Sequence, residues 1–381
     1  MQKDDSKVNR SLKLNLDCVY YVGEKPCKFD RLCEGCSEYK PTGTKILIIK
    51  LAAIGDVLRT TTLLHGLKKK YTNSHITWIT DKGSLPVLQN NSYIDRLLSF
   101  DLESLMRLEI EEFDILICLD KEIRGSCLAS KVSANDKFGF TFDKSGNIRP
   151  INKSAEYNFA LGISNELKFH HNSKTYPELI YETCELKYDR AYEYIFNISE
   201  VTKRWAQDKL ISLGLNLSQP IIGLNTGAGN VFAEKAWTIE GYAKLSEMIQ
   251  NEKLGQIVLL GGPNEYERNQ KIAELTGAKL IDSGCNNSIE EFACIVSCCD
   301  LMVTGDTLAM HIGIALKKVI LLIIGSTAQA EIELYGRGTK IVSTKDCSPC
   351  YKKKCVENPT CMEEIKPEIV FEKLKQILPR K

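Results

Sequence analysis

The sequence has no apolar run approaching the roughly 18 residues that a membrane-spanning helix needs. Its most apolar stretch, Val319–Ile324, is strand length and follows Lys317 and Lys318. The opening residues, MQKDDSKVNR, lack the apolar core of a secretory signal. No charge of one sign dominates: Lys plus Arg number 50, Asp plus Glu 49, and the formal net charge is +1. That balance gives no global reason to expect a nucleic-acid partner. Low-complexity tracts and repeats of solenoid period are missing too, which excludes fibrous and solenoid classes. These absences predict a soluble, cytoplasmic protein and leave a peripheral membrane contact open. At 381 residues the chain is long enough for about two domains.

What the chain does have is cysteine, 15 in all. In a reducing compartment structural disulfides are disfavoured. Eight cysteines fall into two terminal clusters: Cys18, Cys27, Cys33 and Cys36, then Cys347, Cys350, Cys355 and Cys361. Each cluster holds a Cys-x-x-Cys pair, whose spacing lets two sulfurs reach one tetrahedral ion. Both lie in stretches without regular periodicity, where a metal would replace a core that such loops cannot build. Zinc, iron and an iron–sulfur cluster all accept four thiolates. The plainer reading is eight reduced thiols with no ligand. The seven other cysteines read as small buried apolar side chains.

Between the clusters the pattern alternates strand and helix. KILIIK (45–50), HITWIT (75–80) and ILICLD (115–120) read as buried parallel strands. LAAIGDVLRTTTLLHGLKKK reads as a helix starting near Gly55 and Asp56. The pattern loosens over 140–200, then a second series begins after a helix at Glu200–Leu213. Its expected strands are Ile221–Asn225, Gln256–Gly261, Leu280–Asp282, Leu301–Thr304 and Val319–Ile324. Helices are expected at Ile239–Gln250, Glu265–Leu275 and Thr307–Leu316. The fold class is α/β: two Rossmann-like doubly wound domains facing a cleft, with cysteine-rich extensions at both ends. The expected divisions are 1–43, 44–195, 196–345 and 346–381.

In such sheets ligands bind beyond the carboxyl ends of the strands, so four post-strand loops carry the chemistry. In Ala53-Ile54-Gly55-Asp56, Asp56 is either a helix N-cap or a carboxylate base at the cleft edge. Asn225-Thr226-Gly227-Ala228-Gly229 exposes backbone N–H groups, and Lys235 adds a point charge, a set suited to a phosphate. Gly261-Gly262-Pro263-Asn264-Glu265 is a tight turn that could admit a nucleoside. In Thr304-Gly305-Asp306-Thr307, Asp306 or Thr307 caps the next helix, whose free N–H groups favour an anion. His311 lies one turn into that helix and reads as a partly buried, hydrogen-bonded histidine.

KILIIKLAAIGDVLRTTTLLHGLKK resembles the N-terminal signature of glycosyltransferase family 9, the ADP-heptose heptosyltransferases of bacterial surface polysaccharides. VTGDTLAMHIGIALKKVILLIIGST resembles the signature of that family's C-terminal domain, and LGGPNEYERNQKIA lies between them in the family's order. The tail CSPCYKKKCVENPTCMEEIKPEIV is similar to a cysteine-bearing tail of many members, some of which hold iron in a cysteine finger. The resemblance implies a GT-B fold with its C-terminal helix crossing back to the first domain. It implies inverting transfer from an ADP-sugar without a catalytic divalent metal.

On this sequence, the resemblance implies Asp56 as the base. Thr226, Gly227 and Lys235 would hold the donor phosphates. Asp306, Thr307, Leu308 and His311 would line the pyrophosphate and sugar end, with Gly262 and Glu265 near the adenosine. Leu308 stands where many members carry glycine. Arg59, Lys121 and Arg124 are the expected contacts to an acidic glycan, lipid-linked or protein acceptor at the inner face of a membrane. Two other readings remain: a GT-B sugar-nucleotide epimerase or hydrolase, and a non-catalytic, metal-dependent sensor or assembly protein.

Overall fold

The computed structural model describes residues 12–228 and 235–379. Its first sheet contains β1 (Thr44–Ile49), β2 (Ser74–Thr80), β3 (Arg96–Ser99), β4 (Glu112–Cys118), β5 (Ser133–Phe142) and β6 (Ile148–Pro150). They are ordered β3-β2-β1-β4-β5-β6, all parallel except the antiparallel pair β5–β6. The second sheet contains β7 (Ile221–Asn225), β8 (Gln256–Leu260), β9 (Leu280–Asp282), β10 (Leu301–Thr304), β11 (Val319–Ile324) and β12 (Gly338–Val342). Its order, β12-β11-β10-β7-β8-β9, is fully parallel and repeats the topology of the first. Each sheet reverses its strand order once, between β1 and β4 and between β7 and β10. A crevice opens at that reversal, beyond the strand ends.

The apolar runs that marked β1, β7, β10 and β11 are buried on both faces, as parallel strands under helices must be. Helices Ile239–Asn251 and Tyr266–Leu275 follow their expected courses, the latter entered through a 3₁₀ turn at Pro263–Glu265. The helix expected after β1 is broken into Ile54–Thr60 and Leu63–Lys70. Three consecutive threonines explain the break. Thr61 Oγ1 donates to the Leu58 carbonyl at 2.6 Å, and Thr62 Oγ1 donates to the Tyr192 carbonyl at 2.5 Å. Such side-chain bonds compete with helix continuation.

The loose region 140–200 holds helices Glu156–Ile163 and Tyr176–Thr183, separated by a single π-helical turn at Leu167–His171. The C-terminal helix Pro367–Ile377 corrects an expectation. Val370, Phe371 and Leu374 are buried with Ile222, Leu224, Trp237 and Tyr242, so this helix packs on the second domain instead of crossing to the first. Its apolar stripe matches the surface nearest to it in sequence, and Trp237 Nε1 donates to the Ile365 carbonyl at 2.9 Å just before it.

The domains meet through one continuous apolar cluster that includes Val57, Leu58, Tyr176, Tyr181, Tyr194, Met310 and Ile312. The first-domain helix Ile54–Thr60 lies against the second-domain helix Leu308–Ala315. A Cβ placed on Gly55 would stand 2.6 Å from His311 Cδ2, closer than real atoms approach. Gly55→Ala therefore wedges the domain contact. The gain in helix propensity, at most about 1 kcal/mol, is smaller than an overpacking cost of about 1–3 kcal/mol. We expect a lower melting temperature by calorimetry for Gly55→Ala; an unchanged or higher one would contradict the tight fit at His311.

Candidate active site

Two groups of charge stand at the two strand reversals. In the first domain, Lys50 follows β1 and Asp120 follows β4. Their side chains form a buried ion pair, and the Leu51 N–H donates to Asp120 Oδ2 at 2.5 Å. Burial opposes the charge on Lys50, yet the neighbouring Asp120 carboxylate raises its pKa overall. For Asp120, burial prevails and raises the carboxyl despite Lys50. The pair ties the two post-strand loops together as the floor of the site.

Asp56 sits in the first turn of Ile54–Thr60, and Arg59 sits one turn later. Arg59 Nη2 contacts Asp56 Oδ1 at 2.8 Å and, across the domain boundary, Glu331 Oε2 at 3.6 Å. Its guanidinium lies 3.7 Å from the centre of the Tyr176 ring. Burial pushes the Asp56 carboxyl up, but Arg59, Lys50 and His311 outweigh it, and its pKa falls below the ordinary carboxylate value. Asp56 is thus an ionised carboxylate at neutral pH, and its side chain keeps 37% exposure. Alanine 53, not Asp56, occupies the N-cap position, so the plainer reading of this aspartate does not hold.

A cavity of about 390 Å³ opens beside it. Its charged lining is four basic side chains, Lys50, Arg59, Lys121 and Lys168, and four acidic ones, Asp56, Asp120, Glu122 and Glu331. Lys121 Nζ donates to the Asn158 carbonyl at 2.6 Å and to its side-chain oxygen at 3.0 Å. Burial lowers the Lys121 pKa to about 8. Arg124 does not line this cavity. Its guanidinium is bidentate to Asp81, at 2.9 Å twice, and contacts Glu122 at 3.1 Å. The sequence placed it with Lys121 because both follow β4; the helix Ile123–Lys131 turns Arg124 toward the β2 loop instead.

In the second domain, Lys235 Nζ is 3.6 Å from Asp306 Oδ2. Thr307 caps the helix Leu308–Ala315, its hydroxyl accepting from the Met310 N–H at 3.2 Å, and Leu308 is the first helical residue. Asn225 Nδ2 donates to the Gly227 carbonyl at 3.1 Å and the Thr304 hydroxyl at 3.1 Å, joining the two post-strand loops. Gly227 has no room for a Cβ, which would fall 2.2 Å from the Glu265 carboxyl carbon. Glu265 in turn accepts from the Gly262 N–H at 2.8 Å. Thr226 is fully buried and its hydroxyl donates to Asn269 at 2.6 Å, so that hydroxyl is committed inside the domain. Gly229, counted with this loop in the sequence, lies outside the described residues. Arg268 donates to the Thr226 carbonyl at 2.9 Å and to the Trp237 carbonyl, tying together the residues on either side of Lys235's loop.

His311 joins the two groups. It is buried, touches Gly55, and feels the charges of Arg59 and Asp56 on one side and Asp306 and Lys235 on the other. Burial, with Arg59, lowers its pKa to about 4, so the ring is neutral at pH 7.

The sequence missed Lys50, Asp120, Arg268, Lys168 and Glu331 as site residues. Lys50 and Asp120 carried a usable signal, a charge directly after an apolar parallel strand. Glu331 and Lys168 carried none, because they enter from a long connection and from the π turn.

The four N-terminal cluster thiols line one cavity of about 210 Å³. The Cys27 and Cys33 carbonyls each accept from the N–H three residues on, at 2.9 and 3.1 Å, forming tight turns. The four C-terminal cluster thiols also share a cavity, of about 20 Å³. Among the described residues no three His, Cys, Asp or Glu side chains stand together as a metal-binding set. The donor chemistry fits a soft ion in each cluster, but the coordination geometry is not formed. No helix among the described residues is long and apolar enough to cross a membrane.

Residues 104–361 match glycosyltransferase family 9 (heptosyltransferase). Lipopolysaccharide heptosyltransferase 1 of Campylobacter coli is 23% identical over 360 residues, 87% of this chain and 98% of that protein. The family 9 glycosyltransferase from Veillonella parvula shares the fold with a TM-score of 0.71 at 22% identity, covering 88% of this chain and 97% of that one. The ADP-heptose lipopolysaccharide heptosyltransferase II of E. coli gives a TM-score of 0.62 at 17% identity, covering 88% and 98%. Two Rossmann-like sheets meeting at their strand reversals, with a family match over most of the chain, identify this protein as a member of glycosyltransferase family 9, the heptosyltransferases, with the GT-B fold.

Proposed function

We propose that the protein transfers a heptose from ADP-heptose, with inversion, to a hydroxyl of a lipopolysaccharide-core acceptor. The observation that carries this reading is the neutral, buried His311 with Asp56 and Arg59 on one side and Asp306 and Lys235 on the other. One side offers an ionised carboxylate beside a cavity lined by four basic and four acidic side chains. The other offers a lysine and a helix N-terminus.

The division of labour follows from charge. As the bond from the sugar to ADP breaks, negative charge grows on the departing diphosphate. Lys235 and the N–H groups at Thr307 and Leu308 stabilise it without reorganising. Asp306 holds Lys235 and faces the sugar end; Gly227 lies on the phosphate side, and Gly262 and Glu265 border the adenosine. Asp56 takes the proton of the acceptor hydroxyl as that oxygen attacks the anomeric carbon from the face opposite ADP. Arg59 orients Asp56 and, with Lys121, receives acidic groups of the acceptor. Arg124 drops out of this set because Asp81 holds it. No step calls on a metal; zinc or iron at the cysteine clusters would be structural, drawing four thiolates together at either end of the chain.

Asp56→Asn should lower kcat about 10²–10⁴-fold while the KM for ADP-heptose stays within about two-fold; transfer to heptose-free lipopolysaccharide, followed by ADP release, reads both. A variant retaining full kcat would remove Asp56 as the base. The pH profile follows from the two shifted groups. Asp56 stays ionised at and below the ordinary carboxylate pKa, so activity holds from neutral pH downward until that range is reached. Lys121 loses its charge as pH rises through about 8, so the acceptor KM climbs there. A flat acceptor KM from pH 7 to 9 would exclude Lys121 as a contact.

Lys235→Ala should weaken calorimetric binding of ADP-heptose at least ten-fold, as expected for loss of one charge-assisted phosphate contact of about 1.5–3 kcal/mol. ADP-glucose, UDP-glucose and GDP-mannose should bind the wild type more weakly than ADP-heptose. Equal binding of all four would return the donor to an open question. Metal analysis of the purified protein should find zinc or iron. Cys33→Ser with Cys36→Ser, or Cys347→Ser with Cys350→Ser, should lower metal content and melting temperature while leaving ADP-heptose affinity within about two-fold. Full stability with lost donor binding would reverse the structural assignment.

A further inference from the structure

Lys168, from the middle of the sequence, and Tyr351, from the C-terminal cysteine loop, meet at the rim of that cavity. Lys168 lies on the π turn Leu167–His171, a local geometry often found where a side chain must be re-aimed. Its ammonium lines the cavity, stands 3.4 Å from Glu331 Oε1, and lies 4.6 Å from the centre of the Tyr351 ring. Burial opposes its charge, but Glu331 and Tyr351 more than restore it. Phe169, the next residue, stacks on Tyr351 with ring centres 5.4 Å apart and planes 5° apart.

Tyr351 belongs to the C-terminal cysteine loop, directly after Cys350. It adopts a left-handed backbone with φ 51°, a conformation that a bulky residue takes only when its surroundings repay the strain. The surroundings do so from three directions. The Tyr351 and Cys350 N–H groups both donate to the Ser326 carbonyl, at 3.0 and 3.1 Å. The Tyr351 hydroxyl accepts from the Ala328 N–H at 3.2 Å. Ser348 Oγ donates to the Gly325 carbonyl at 2.5 Å. The cysteine loop is thereby fastened to the end of β11, and its ring is held out over the first domain.

We propose that Lys168 is a further contact for an anionic group of the acceptor, and that Tyr351 is its positioning residue, through which the cysteine loop shapes acceptor binding in the other domain. This rests on reading the cavity as the acceptor site. An acidic acceptor group entering the cavity meets the Arg59, Lys121 and Lys168 charges together. Glu331, shared by Arg59 and Lys168 in the free protein, holds that place for it. The ring supplies the remaining contact that keeps the flexible lysine stem aimed inward.

The test measures transfer from ADP-heptose to heptose-free lipopolysaccharide by wild type, Lys168→Ala, Tyr351→Ala, Tyr351→Phe and the double alanine variant. Both single alanine variants should raise the acceptor KM about five-fold or more, with kcat and the ADP-heptose KM unchanged. Tyr351→Phe, which keeps the ring, should restore most of the loss. The double variant should be no worse than Lys168→Ala alone, because one residue acts through the other. Additive losses, or an altered donor KM, would overturn the positioning role. Acylation of surface lysines with acetic anhydride, read by peptide mapping, decides that role without any acceptor. Lys168 should react several-fold faster in Tyr351→Ala than in wild type, and equal rates would overturn the proposal. A wild type that acts on no heptose-free lipopolysaccharide would instead overturn the acceptor reading, and with it the anion contact.

Discussion

The guanidinium of Arg59 holds the molecule's working parts in one place. It is nearly buried, and it divides its charge between Asp56 on its own helix and Glu331 from the other domain while lying on the Tyr176 ring. A buried cation of this kind is tolerated only with carboxylate partners on hand. The second domain supplies one of them. The requirement to satisfy Arg59 therefore couples the charge on Asp56 to the approach of the domains. The Tyr176 N–H donates to the Glu331 carbonyl at 2.9 Å, so backbone and side chain of one residue fasten the same junction.

The electrostatics of the site divide by the positive charge within reach of each carboxylate. Asp56 and Asp120 are both near Lys50, yet their pKa values move in opposite directions. Asp120, almost fully buried, is raised by the loss of solvent. Burial pushes Asp56 up as well, but Arg59, Lys50 and His311 outweigh it, and so it is lowered. The first carboxylate is a structural strut between β1 and β4, whereas the second stays charged and reachable. His311 is the neutral spacer that lets two clusters of charge face each other without a further ion between them.

Much of this was legible in the sequence. The apolar runs that became β7, β10 and β11 carried their own boundaries, because strands buried on both faces are almost wholly apolar. Asp56 follows β1, Lys235 follows β7, and Asp306 and Thr307 follow β10, at the strand ends where parallel sheets meet ligands. What escaped notice was set by tertiary contact. β5 begins with SANDKF, a polar start that hides a strand, and β12 has a single fully buried residue. Arg124 followed the right strand, but its helix sends it to Asp81. The three threonines that break the first helix obey local chemistry, yet the break depends partly on the Tyr192 carbonyl, 130 residues away.

The shared apolar cluster gives the halves of this protein a common history. Tyr181, Tyr194 and Tyr335, together with the bidentate Arg337–Glu193 pair at 2.9 and 2.6 Å, bind the connection between domains to both of them. Neither half presents a finished surface when separated. A second domain brought in from another source would have to seat its own residue against Gly55, where a Cβ already has no room beside His311. The second domain is therefore not a cassette: it can be exchanged only when the seam between the domains is exchanged with it.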